Sequence, residues 1–511
     1  MHNPPFRKVL IANRGEIALR VIRACHELGI TAVAVYSDAD AGAPWARAAD
    51  EAWPLHGNSA AETYLDQEKI LTIAADCGAE AIHPGYGFLS ENAEFAEACA
   101  RRGVVFVGPS PEAMRALGSK AAARSLAEAH HVPVVPGVDG AGKSDDELAE
   151  AAAAIGYPVL IKASAGGGGK GMRVIYEAAE LRDGLLAARQ EAQSAFGDPH
   201  LLLEKYFTKI HHVEVQVLGD KGRDAPHGNL LHLYERECSI QRRHQKIVEE
   251  SPSPLVGENE ALREAITSAA VRLARAAGYV SAGTVEFIVD DAGGFYFLEM
   301  NTRLQVEHPV TESVSGVDLV TWQLRIAAGE PLPFTQADIR RRGHAIECRV
   351  YAEDPGNGFL PSIGTIAHYA RPSGPGVRVD DGIESGAAVS PYYDPMLAKV
   401  ITWGQDRAEA IRKMDRALRE TVVLGVTTNI GYLRDILATP AFVAGDTDTN
   451  FLAQHMAEWR PPVGASEDEW VAAAVYEVLG AVGVTDRRPT TDDGRQVYDP
   501  WAAAVGWRNV G

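Results

Sequence analysis

The first 117 residues alternate short apolar runs with a segment whose apolar positions recur at helical spacing. The runs typical of buried strands occupy residues 8–12, 31–36, 81–83 and 104–107. The helical pattern covers residues 16–28. Strands that alternate with helices indicate a parallel sheet with both faces covered. We therefore predict an α/β fold whose N-terminal domain, residues 1–117, is a doubly wound parallel sheet.

From residue 118 the pattern changes to a helix followed by two antiparallel hairpins. The Ala-rich helix is predicted at residues 120–130, and the hairpins at residues 158–176 and 284–300. The remaining predicted divisions are a central domain, a C-terminal mixed α+β domain, and a tail or linker, at residues 118–330, 331–450 and 451–511.

A run of glycines lies in the middle of the first hairpin. Gly166, Gly168 and Gly171 match the dinucleotide-binding spacing, but a strand follows the run where that motif requires a helix. A Walker loop is excluded because Lys170 is followed by Gly171 rather than by Ser or Thr. Two interpretations remain: a flap whose backbone N–H groups contact phosphate oxygens, or a flexible surface hairpin. Lys162 favours the flap, because a lysine in an apolar strand needs an anionic partner.

The second hairpin brings two carboxylates together. If Asp290 pairs with Phe295 across a four-residue turn, Glu286 lies opposite Glu299, at a separation where two carboxylates repel. Asn301 follows on the same face of the strand. Carboxylate and amide oxygens suit Mg²⁺ or Mn²⁺ that bridges nucleotide phosphates. The alternative is a hairpin whose charges face water, but apolar residues in both strands indicate burial of both faces.

Two further segments suggest anion chemistry. Residues 237–246 concentrate cationic and polar side chains, which indicates an anion pocket or an ordinary solvated loop. After the second hairpin, Arg303, Gln305 and Glu307 alternate at period two, so an extended segment would direct all three side chains one way. An arginine, an amide and a carboxylate beside a metal–nucleotide site suit binding of a small oxyanion and removal of its proton.

Composition narrows the class of protein. The 511 residues include 49 Lys+Arg and 69 Asp+Glu, a net charge of −20 that disfavours nucleic acid and anionic membranes. The five cysteines show no metal-type spacing and indicate reduced thiols. No apolar run reaches the ~18 residues that a membrane span needs. We therefore predict a cytoplasmic protein that binds neither nucleic acid nor membrane.

Several long segments, in order, resemble the biotin carboxylase family, the ATP-grasp component of biotin-dependent carboxylases. They are residues 8–16, 83–92, the glycine run, 235–246, 299–312 and 345–355, and the resemblance covers about residues 1–450. It implies an ATP-grasp central domain with a mobile glycine flap, about residues 135–205. It also implies an ATP-dependent carbon–nitrogen ligase: ATP phosphorylates bicarbonate to carboxyphosphate, and the released phosphate removes the ureido proton of biotin before CO₂ is captured.

The resemblance further implies a role for individual residues, with ATP, bicarbonate and two Mg²⁺ or Mn²⁺ as cofactors. The implied ATP contacts are Lys120, Lys162, Gly168, Gly169, Glu204, Lys205, Tyr206, Phe207, His212, Gln241, His244, Glu286 and Glu299. The implied metal ligands are Glu286, Glu299 and Asn301. Bicarbonate would contact Lys246, Arg303, Gln305 and the Val306 backbone, with Glu307 as general base. Arg349 would hold the biotin ureido oxygen, with Tyr86 in the same pocket, and the implied catalytic residues are Lys246, Arg303, Glu307 and Arg349.

The implied partners follow from what the chain lacks. It contains no Met-Lys-Met biotinylation motif and nothing that resembles a carboxyltransferase. Biotin is therefore expected as a substrate on a biotin carboxyl carrier protein, in another polypeptide or in a missing C-terminal part. A carboxyltransferase subunit and a second copy of the chain, as a homodimer, are the other expected partners. The expected role is the first half-reaction of an acetyl-, propionyl- or methylcrotonyl-CoA type carboxylase.

Two other functions stay open at this point. The first is another ATP-grasp ligase, which would pass an activated carboxylate to an amine and would need no Arg349. The second is a non-catalytic nucleotide-binding scaffold, which would have lost some of Lys246, Glu286, Glu299 and Glu307. None of these four residues is missing from the chain.

Overall fold

The computed structural model describes residues 4–163, 172–196, 200–222, 228–243 and 245–462, together with residues 464, 471, 474 and 475. The chain divides into two units, Met1–Trp459 and Arg460–Gly511. All helices and strands named below belong to the first unit. No helix in the described ranges combines the length and the apolar character needed to cross a membrane.

The first 118 residues form the predicted doubly wound sheet and its covering helices. Its strands are β1 (Lys8–Ile11), β2 (Thr31–Tyr36), β3 (Glu51–Pro54), β4 (Ala81–His83) and β5 (Val105–Phe106). Its helices are α1 (Gly15–Glu27), α2 (Pro44–Ala48), α3 (Gln67–Cys77), α4 (Ala93–Arg101) and α5 (Pro111–Gly118). The strands are parallel and run in the order β3-β2-β1-β4-β5. Val9, Leu10 and Ile11 are fully buried because helices cover both faces of the sheet.

A second, four-stranded sheet follows. Its elements are α6 (Lys120–Ala129), β6 (Gly137–Asp139), α7 (Asp145–Ile155), β7 (Val159–Ala163), β8 (Met172–Ile175), α8 (Leu181–Phe196) and β9 (Leu201–Lys205). The strand order is β6-β9-β7-β8. β7 and β8 pair antiparallel, with Lys162 opposite Met172, so the first predicted hairpin is confirmed. The glycine run itself, residues 166–171, lies outside the described residues.

The elements that carry most of the candidate chemistry come next. They are β10 (Ile210–Gly219), β11 (Leu230–Arg242), β12 (Gln245–Ser251), α9 (Glu260–Ala276), β13 (Ser281–Asp290), β14 (Phe295–Asn301), α10 (His308–Ser315) and α11 (Leu319–Ala327). β13 and β14 form the second predicted hairpin. Helix α9 packs its apolar face, including Ile266 and Leu273, against Val213 and Val215 of β10.

The last elements of the first unit are mostly short strands followed by helices. They are β15 (His344–Tyr351), β16 (Glu353–Asp354), β17 (Leu360–Pro361), β18 (Gly364–Thr365), β19 (His368–Ala370), β20 (Val377–Asp381), β21 (Ala388–Val389), β22 (Met396–Gly404), α12 (Arg407–Glu420), β23 (Val422–Leu424), α13 (Ile430–Ala438), α14 (Pro440–Ala444) and α15 (Phe451–His455). Phe451 and Met456 are buried in one apolar cluster with Tyr432 and Leu433.

One antiparallel sheet joins the central and C-terminal segments. Its order is β14-β13-β10-β11-β12-β15-β22-β20. The pairing of β12 with β15 crosses residue 330, where the sequence predicts a domain boundary. The division at residues 117, 330 and 450 stays a prediction. All five cysteines are buried and free, as the sequence indicates.

Candidate active site

Lys246 lies at the centre of a ring of carboxylates on the eight-stranded sheet. Its Nζ donates to Glu214 Oε2 at 2.6 Å, to Glu286 Oε1 at 2.9 Å and to Glu307 Oε1 at 2.7 Å. Lys246 is on β12, Glu214 and Glu286 are on β10 and β13, and Glu307 caps α10. Because Glu214 and Glu286 are paired in register, their carboxylates lie side by side and need a cation between them.

This cluster holds fixed charges in a buried setting. Burial disfavours an ammonium, but Glu214, Glu286 and Glu307 raise the pKa of Lys246 well above its ordinary value. Burial also opposes ionisation of Glu286 and Glu307, yet Lys246 and further cationic neighbours hold both pKa values well below the usual range. Charges that are held apart from water interact strongly, so the cluster is suited to orient a small anion.

The predicted metal ligands lie together at the edge of this cluster. Glu286 and Glu299 are opposite each other on β13 and β14, as predicted, and Asn301 Nδ2 donates to Glu286 Oε1 at 2.8 Å. His212 Nε2 lies 2.9 Å from Glu286 Oε2. Burial and the Glu286 charge raise the pKa of Glu299. A divalent cation would relieve that repulsion, and the oxygen donors are hard ligands, so these residues fit Mg²⁺ or Mn²⁺.

The carboxylate hairpin reaches this register by an unexpected route. The predicted pairing of Asp290 with Phe295 is wrong, because Phe295 pairs with Val289. A β-bulge at Leu298 then adds one residue to β14, so that Glu286 still meets its predicted partner. Leu298 is 41% exposed, and the expected burial of both faces is therefore wrong at this position.

The segment after β14 is not the predicted extended strand. The chain turns and enters α10, so Arg303, Gln305 and Glu307 do not project from one strand face. Two of the three side chains nevertheless converge. Gln305 Nε2 donates to Glu286 Oε1 at 2.8 Å, and Glu307 accepts a hydrogen bond from Lys246.

Arg303 faces the N-terminal part of the chain. Its Nε donates to Glu91 Oε2 at 2.8 Å, and its Nη2 donates to Asn301 Oδ1 at 2.9 Å. Burial lowers the pKa of Arg303, but Glu91 and Glu307 raise it overall. Arg303 therefore adds a second fixed positive charge beside the predicted metal ligands.

Arg349 joins the cluster from β15. Its Nε donates to Glu249 Oε1 on β12 at 2.5 Å, and its Nη2 donates to Glu307 Oε2 at 3.0 Å. Glu307 is therefore held between two cations, Lys246 and Arg349. Burial raises the pKa of Glu249 to about 7, although Arg349 opposes the shift. Burial and Glu16 raise the pKa of Tyr86 well above its ordinary value, and the charge of Arg349 opposes that shift. The pocket that Tyr86 and Arg349 are predicted to share stays a prediction.

Lys162 has an anionic partner within the chain. Its Nζ on β7 donates to Glu204 on β9, across the antiparallel ladder of the four-stranded sheet. Phe207, which follows β9, lies with its ring centroid 4.9 Å from that of Tyr296 on β14. A nucleotide phosphate is thus not needed to compensate Lys162, and its predicted contact with ATP stays a prediction.

The other predicted nucleotide contacts are spread over neighbouring elements. Lys205 Nζ donates to Gly156 O at 2.8 Å, and Gln241 Nε2 donates to Cys238 O at 2.8 Å. Lys120 is exposed at the first position of α6. Tyr206 directly follows β9. The predicted contacts Gly168, Gly169 and His244 lie outside the described residues.

Three buried residues of the cluster were not identified from the sequence: Glu214, Arg236 and Glu249. Arg236 is fully buried and donates to Glu214 and, at 2.8 Å, to Gln305 Oε1. For Glu214 the available signal was the alternation of polar residues over 212–216 of β10, which indicates a polar face on a buried strand. Arg236 and Glu249 each adjoin other charged residues, so no comparable signal marks these two residues in the sequence.

Comparison with known proteins gives the same assignment along the chain. Family models match for the biotin carboxylase N-terminal domain over residues 5–114, the carbamoyl-phosphate synthase L chain ATP-binding domain over 119–335, and the biotin carboxylase C-terminal domain over 347–454. Biotin carboxylase 2 of Bacillus subtilis is 51% identical over 451 residues, which are 88% of this chain and 100% of the relative. Methylcrotonoyl-CoA carboxylase subunit alpha of Dictyostelium discoideum is 45% identical over 505 residues, which are 99% of this chain and 70% of the relative.

Solved structures share the fold. The biotin carboxylase domain of a thermophilic 2-oxoglutarate carboxylase, bound to bicarbonate, has a TM-score of 0.83 at 47% identity and covers 88% of this chain and 98% of its own. A complex of Campylobacter jejuni biotin carboxylase with a β,γ-ATP ligand has a TM-score of 0.80 at 44% identity and covers 88% and 99%. Because the three domain models, full-length relatives and fold all agree, this chain belongs to the biotin carboxylase family, whose members are ATP-dependent ligases.

Proposed function

We propose that this chain carboxylates the biotin of a carrier protein with ATP and bicarbonate, as the first half-reaction of an acyl-CoA carboxylase. The observation that carries the proposal is the position of Glu307 between two cations, 2.7 Å from Lys246 Nζ and 3.0 Å from Arg349 Nη2. A base held between an anion-binding lysine and an arginine on a separate strand can serve two substrates that react with each other.

Bicarbonate would bind beside Glu307. Lys246, Arg303, the Gln305 amide and the Val306 backbone would hold its oxygens, and Glu307 would accept its proton. The low pKa of Glu307 keeps this carboxylate ionised in the neutral range. A bound anion shares the charge of Lys246, which strengthens Glu307 as a base at the moment when a proton must move.

The nucleotide would lie between the four-stranded sheet and the eight-stranded sheet. Lys120, Lys162, His212 and Gln241 would contact its phosphates or ribose, together with Gly168, Gly169 and His244, and residues 204–207 would meet the adenine. Glu286, Glu299 and Asn301 would hold two Mg²⁺ or Mn²⁺, which neutralise phosphate charge when bound. The oxygen donor set and the raised pKa of Glu299 support this assignment.

Biotin would be held at Arg349. The ureido nitrogen is a very weak acid, so its deprotonation requires stabilisation of the negative charge that forms on the ureido oxygen. Burial lowers the pKa of the Arg349 guanidinium, but Glu249 and Glu307 raise it well above its ordinary value overall. Its positive charge is therefore permanent. Tyr86 would border the same pocket.

The partners are proposed at the level of their class. A biotin carboxyl carrier protein, in another polypeptide or in a longer form of this chain, would deliver biotin, and a carboxyltransferase would consume it. The chain spans 61% of the human propionyl-CoA carboxylase alpha chain and 70% of the Dictyostelium methylcrotonoyl-CoA relative. These relatives support an acyl-CoA carboxylase of the propionyl- or methylcrotonyl-CoA type. From the sequence we also propose the acetyl-CoA type as an alternative, a homodimer and a cytoplasmic location. The domain division at residues 117, 330 and 450 belongs to the same proposal.

ADP release tests the proposal. It is measured with ATP, bicarbonate and Mg²⁺, with and without free biotin or a biotinylated carrier domain. We expect biotin or the carrier to stimulate release, and Arg349→Ala to lose that stimulation while ATP binding persists. Arg419→Ala is the matched control, because Arg419 is an exposed arginine that pairs with Asp415 on α12.

Two results would contradict the proposal. Bicarbonate-dependent release that neither form of biotin stimulates would point to another acceptor. ATP binding without any release, under every condition, would favour the nucleotide-binding scaffold.

A further inference from the structure

Lys399 is a buried lysine to which the proposed reaction assigns no role. It lies on β22, opposite Arg349 of β15 in the ladder, and its side chain is fully buried. A buried ammonium is costly unless acceptors surround it. Its partners therefore indicate what this lysine contributes.

The first partner lies in the segment that carries the proposed general base. Lys399 Nζ donates to the Val306 carbonyl oxygen at 2.7 Å. This carbonyl belongs to the planar peptide unit that joins Val306 to Glu307. The hydrogen bond therefore fixes the backbone from which the Glu307 side chain reaches Lys246 and Arg349.

The second partner leads to the proposed biotin pocket. Lys399 Nζ lies 3.2 Å from Glu16 Oε1, and Tyr86 Oη donates to the same carboxylate oxygen. Glu16 is on α1 of the N-terminal sheet, whereas Tyr86 follows β4. One carboxylate oxygen therefore connects the buried lysine to the tyrosine that is proposed to border the biotin pocket.

Charge neutralisation accounts for the contact of Lys399 with Glu16 but not for its contact with the Val306 carbonyl. Asp380 Oδ2 is 4.0 Å from Lys399 Nζ and is already bonded to Arg378 at 2.7 Å. Glu347, on the neighbouring strand, has no hydrogen-bond partner for either carboxylate oxygen among the residues that the structure describes. Burial lowers the pKa of Lys399, but Glu16 and Glu347 raise it overall, so the ammonium keeps its charge. Its closest contacts go instead to Val306 and Glu16.

We propose that Lys399 is a positioning residue that couples the bicarbonate and biotin sites, by holding the Val306–Glu307 peptide and, through Glu16, Tyr86. This inference rests on the proposed function. The Lys399 ammonium would set the position of the bicarbonate pocket relative to the biotin pocket. The residues that it holds come from α1, the β4–α4 connection and the start of α10.

The test compares Lys399→Met with wild type. The KM for bicarbonate is measured from ADP release without biotin, and the KM for biotin at saturating bicarbonate. A lost hydrogen bond to a charged group corresponds to about a tenfold change or more, and we expect that increase in both KM values. Lys413→Met is the matched control, because Lys413 Nζ also donates to a main-chain carbonyl, that of Trp403 at 2.9 Å, outside the site.

A second variant separates the effect of the Glu16 contact from that of the Val306 contact. Glu16→Gln removes the carboxylate charge and leaves the Val306 contact in place, so only the KM for biotin should rise. Glu16→Gln still tests the proposal if Lys399→Met fails to fold. Loss of ATP binding in Lys399→Met would reveal that failure. An equal rise in both KM values in Glu16→Gln, or no change in either, would overturn the proposal.

The double variant distinguishes positioning from charge balance. Lys399→Met with Glu16→Gln removes the unpaired buried carboxylate, so a merely structural role predicts recovery of both KM values. Positioning predicts that the bicarbonate defect persists, because the Val306 carbonyl still lacks its donor. Recovery of the bicarbonate KM, or normal kinetics in Lys399→Met, would refute the coupling. Failure of wild type to respond to biotin would instead refute the proposed function.

Discussion

The two sheets that carry the proposed active site each place a lysine beside a carboxylate, but in different settings. Lys246 on the eight-stranded sheet contacts three carboxylates, and its side chain is 12% exposed. Lys162 on the four-stranded sheet contacts one close carboxylate, Glu204, and its side chain is 32% exposed. Both lysines come from strands, so sequence periodicity alone does not separate them.

The difference lies in what surrounds each pair. The carboxylates around Lys246 come from β10, β13 and the start of α10, and Arg236 on β11 and Arg349 on β15 supply further charge. Lys162 lies on β7 beside the edge strand β8, whose Met172 and Arg173 are exposed. A central strand in a wide sheet can hold a charge in place before any ligand binds, whereas a strand beside an edge leaves its charge available to solvent and ligand.

Replacing Lys246 should give the largest effect. Lys246→Met leaves Glu214, Glu286 and Glu307 without their shared cation, and removal of one member of a buried ion pair costs about 3–5 kcal/mol. We expect that loss in the free energy of unfolding from urea denaturation, together with loss of bicarbonate-dependent ADP release. An unfolding free energy within about 1 kcal/mol of wild type would mean that the cluster is solvated, as a surface pair is.

The buried charges of the eight-stranded sheet should also make the free energy of unfolding depend on pH. Glu249 has a folded pKa of about 7, against about 4.3 for an unfolded glutamate. The folded state then binds the proton more tightly, so stability is present on the acid side and is lost as pH rises through this window. Relative to Glu249→Gln, wild type should lose about 2–3 kcal/mol of unfolding free energy between pH 4.5 and 7.

Equilibrium unfolding of both proteins at several pH values checks this prediction. The difference between them removes the titration of every other group that behaves alike in the two proteins. Parallel pH profiles would show that Glu249 is ionised throughout, held by Arg349 alone.

The same comparison explains what could be predicted from the sequence. The parallel sheet and both hairpins follow from strand periodicity and local pairing. The opposition of Glu286 to Glu299 was predicted from a wrong turn register, which the bulge at Leu298 offsets. The resemblance to the biotin carboxylase family supplied the importance of Arg349, which periodicity alone reads as an ordinary strand arginine.

Contacts between distant strands could not be predicted in this way. Glu249 meets Arg349 because β12 pairs with β15 across a hundred residues of sequence. Arg236 reaches Gln305 for a similar reason. The β-bulge at Leu298 was not predicted either, because no local sequence signal shows which residue of a strand is left unpaired. These contacts depend on pairing between segments that are far apart in the sequence, and a single sequence does not indicate which segments pair.

Replacing Lys162 should separate binding from stability. Lys162→Met removes a partly exposed pair, so the free energy of unfolding should change by no more than about 1 kcal/mol. If Lys162 contacts nucleotide phosphate, the Kd for ATP should rise about tenfold, because charge-assisted hydrogen bonds are the strong ones. Calorimetric titration with ATP measures the Kd, and Lys209→Met provides a surface-lysine control with the partner Asp446. Equal ATP affinity in both variants would remove Lys162 from the nucleotide site.

The smallest effect on stability should come from replacing Met172, with Met300 as the buried contrast. Met172 lies on the edge strand β8 and is 46% exposed, whereas Met300 on β14 is 4% exposed in the core of the larger sheet. Met172→Ala creates no cavity and should change the unfolding free energy by less than about 0.5 kcal/mol. Met300→Ala removes buried methylene and sulfur contacts and should cost about 2–5 kcal/mol. Similar losses in the two variants would mean that β8 is covered in solution, and Lys162 would then have to be regarded as a buried lysine like Lys246.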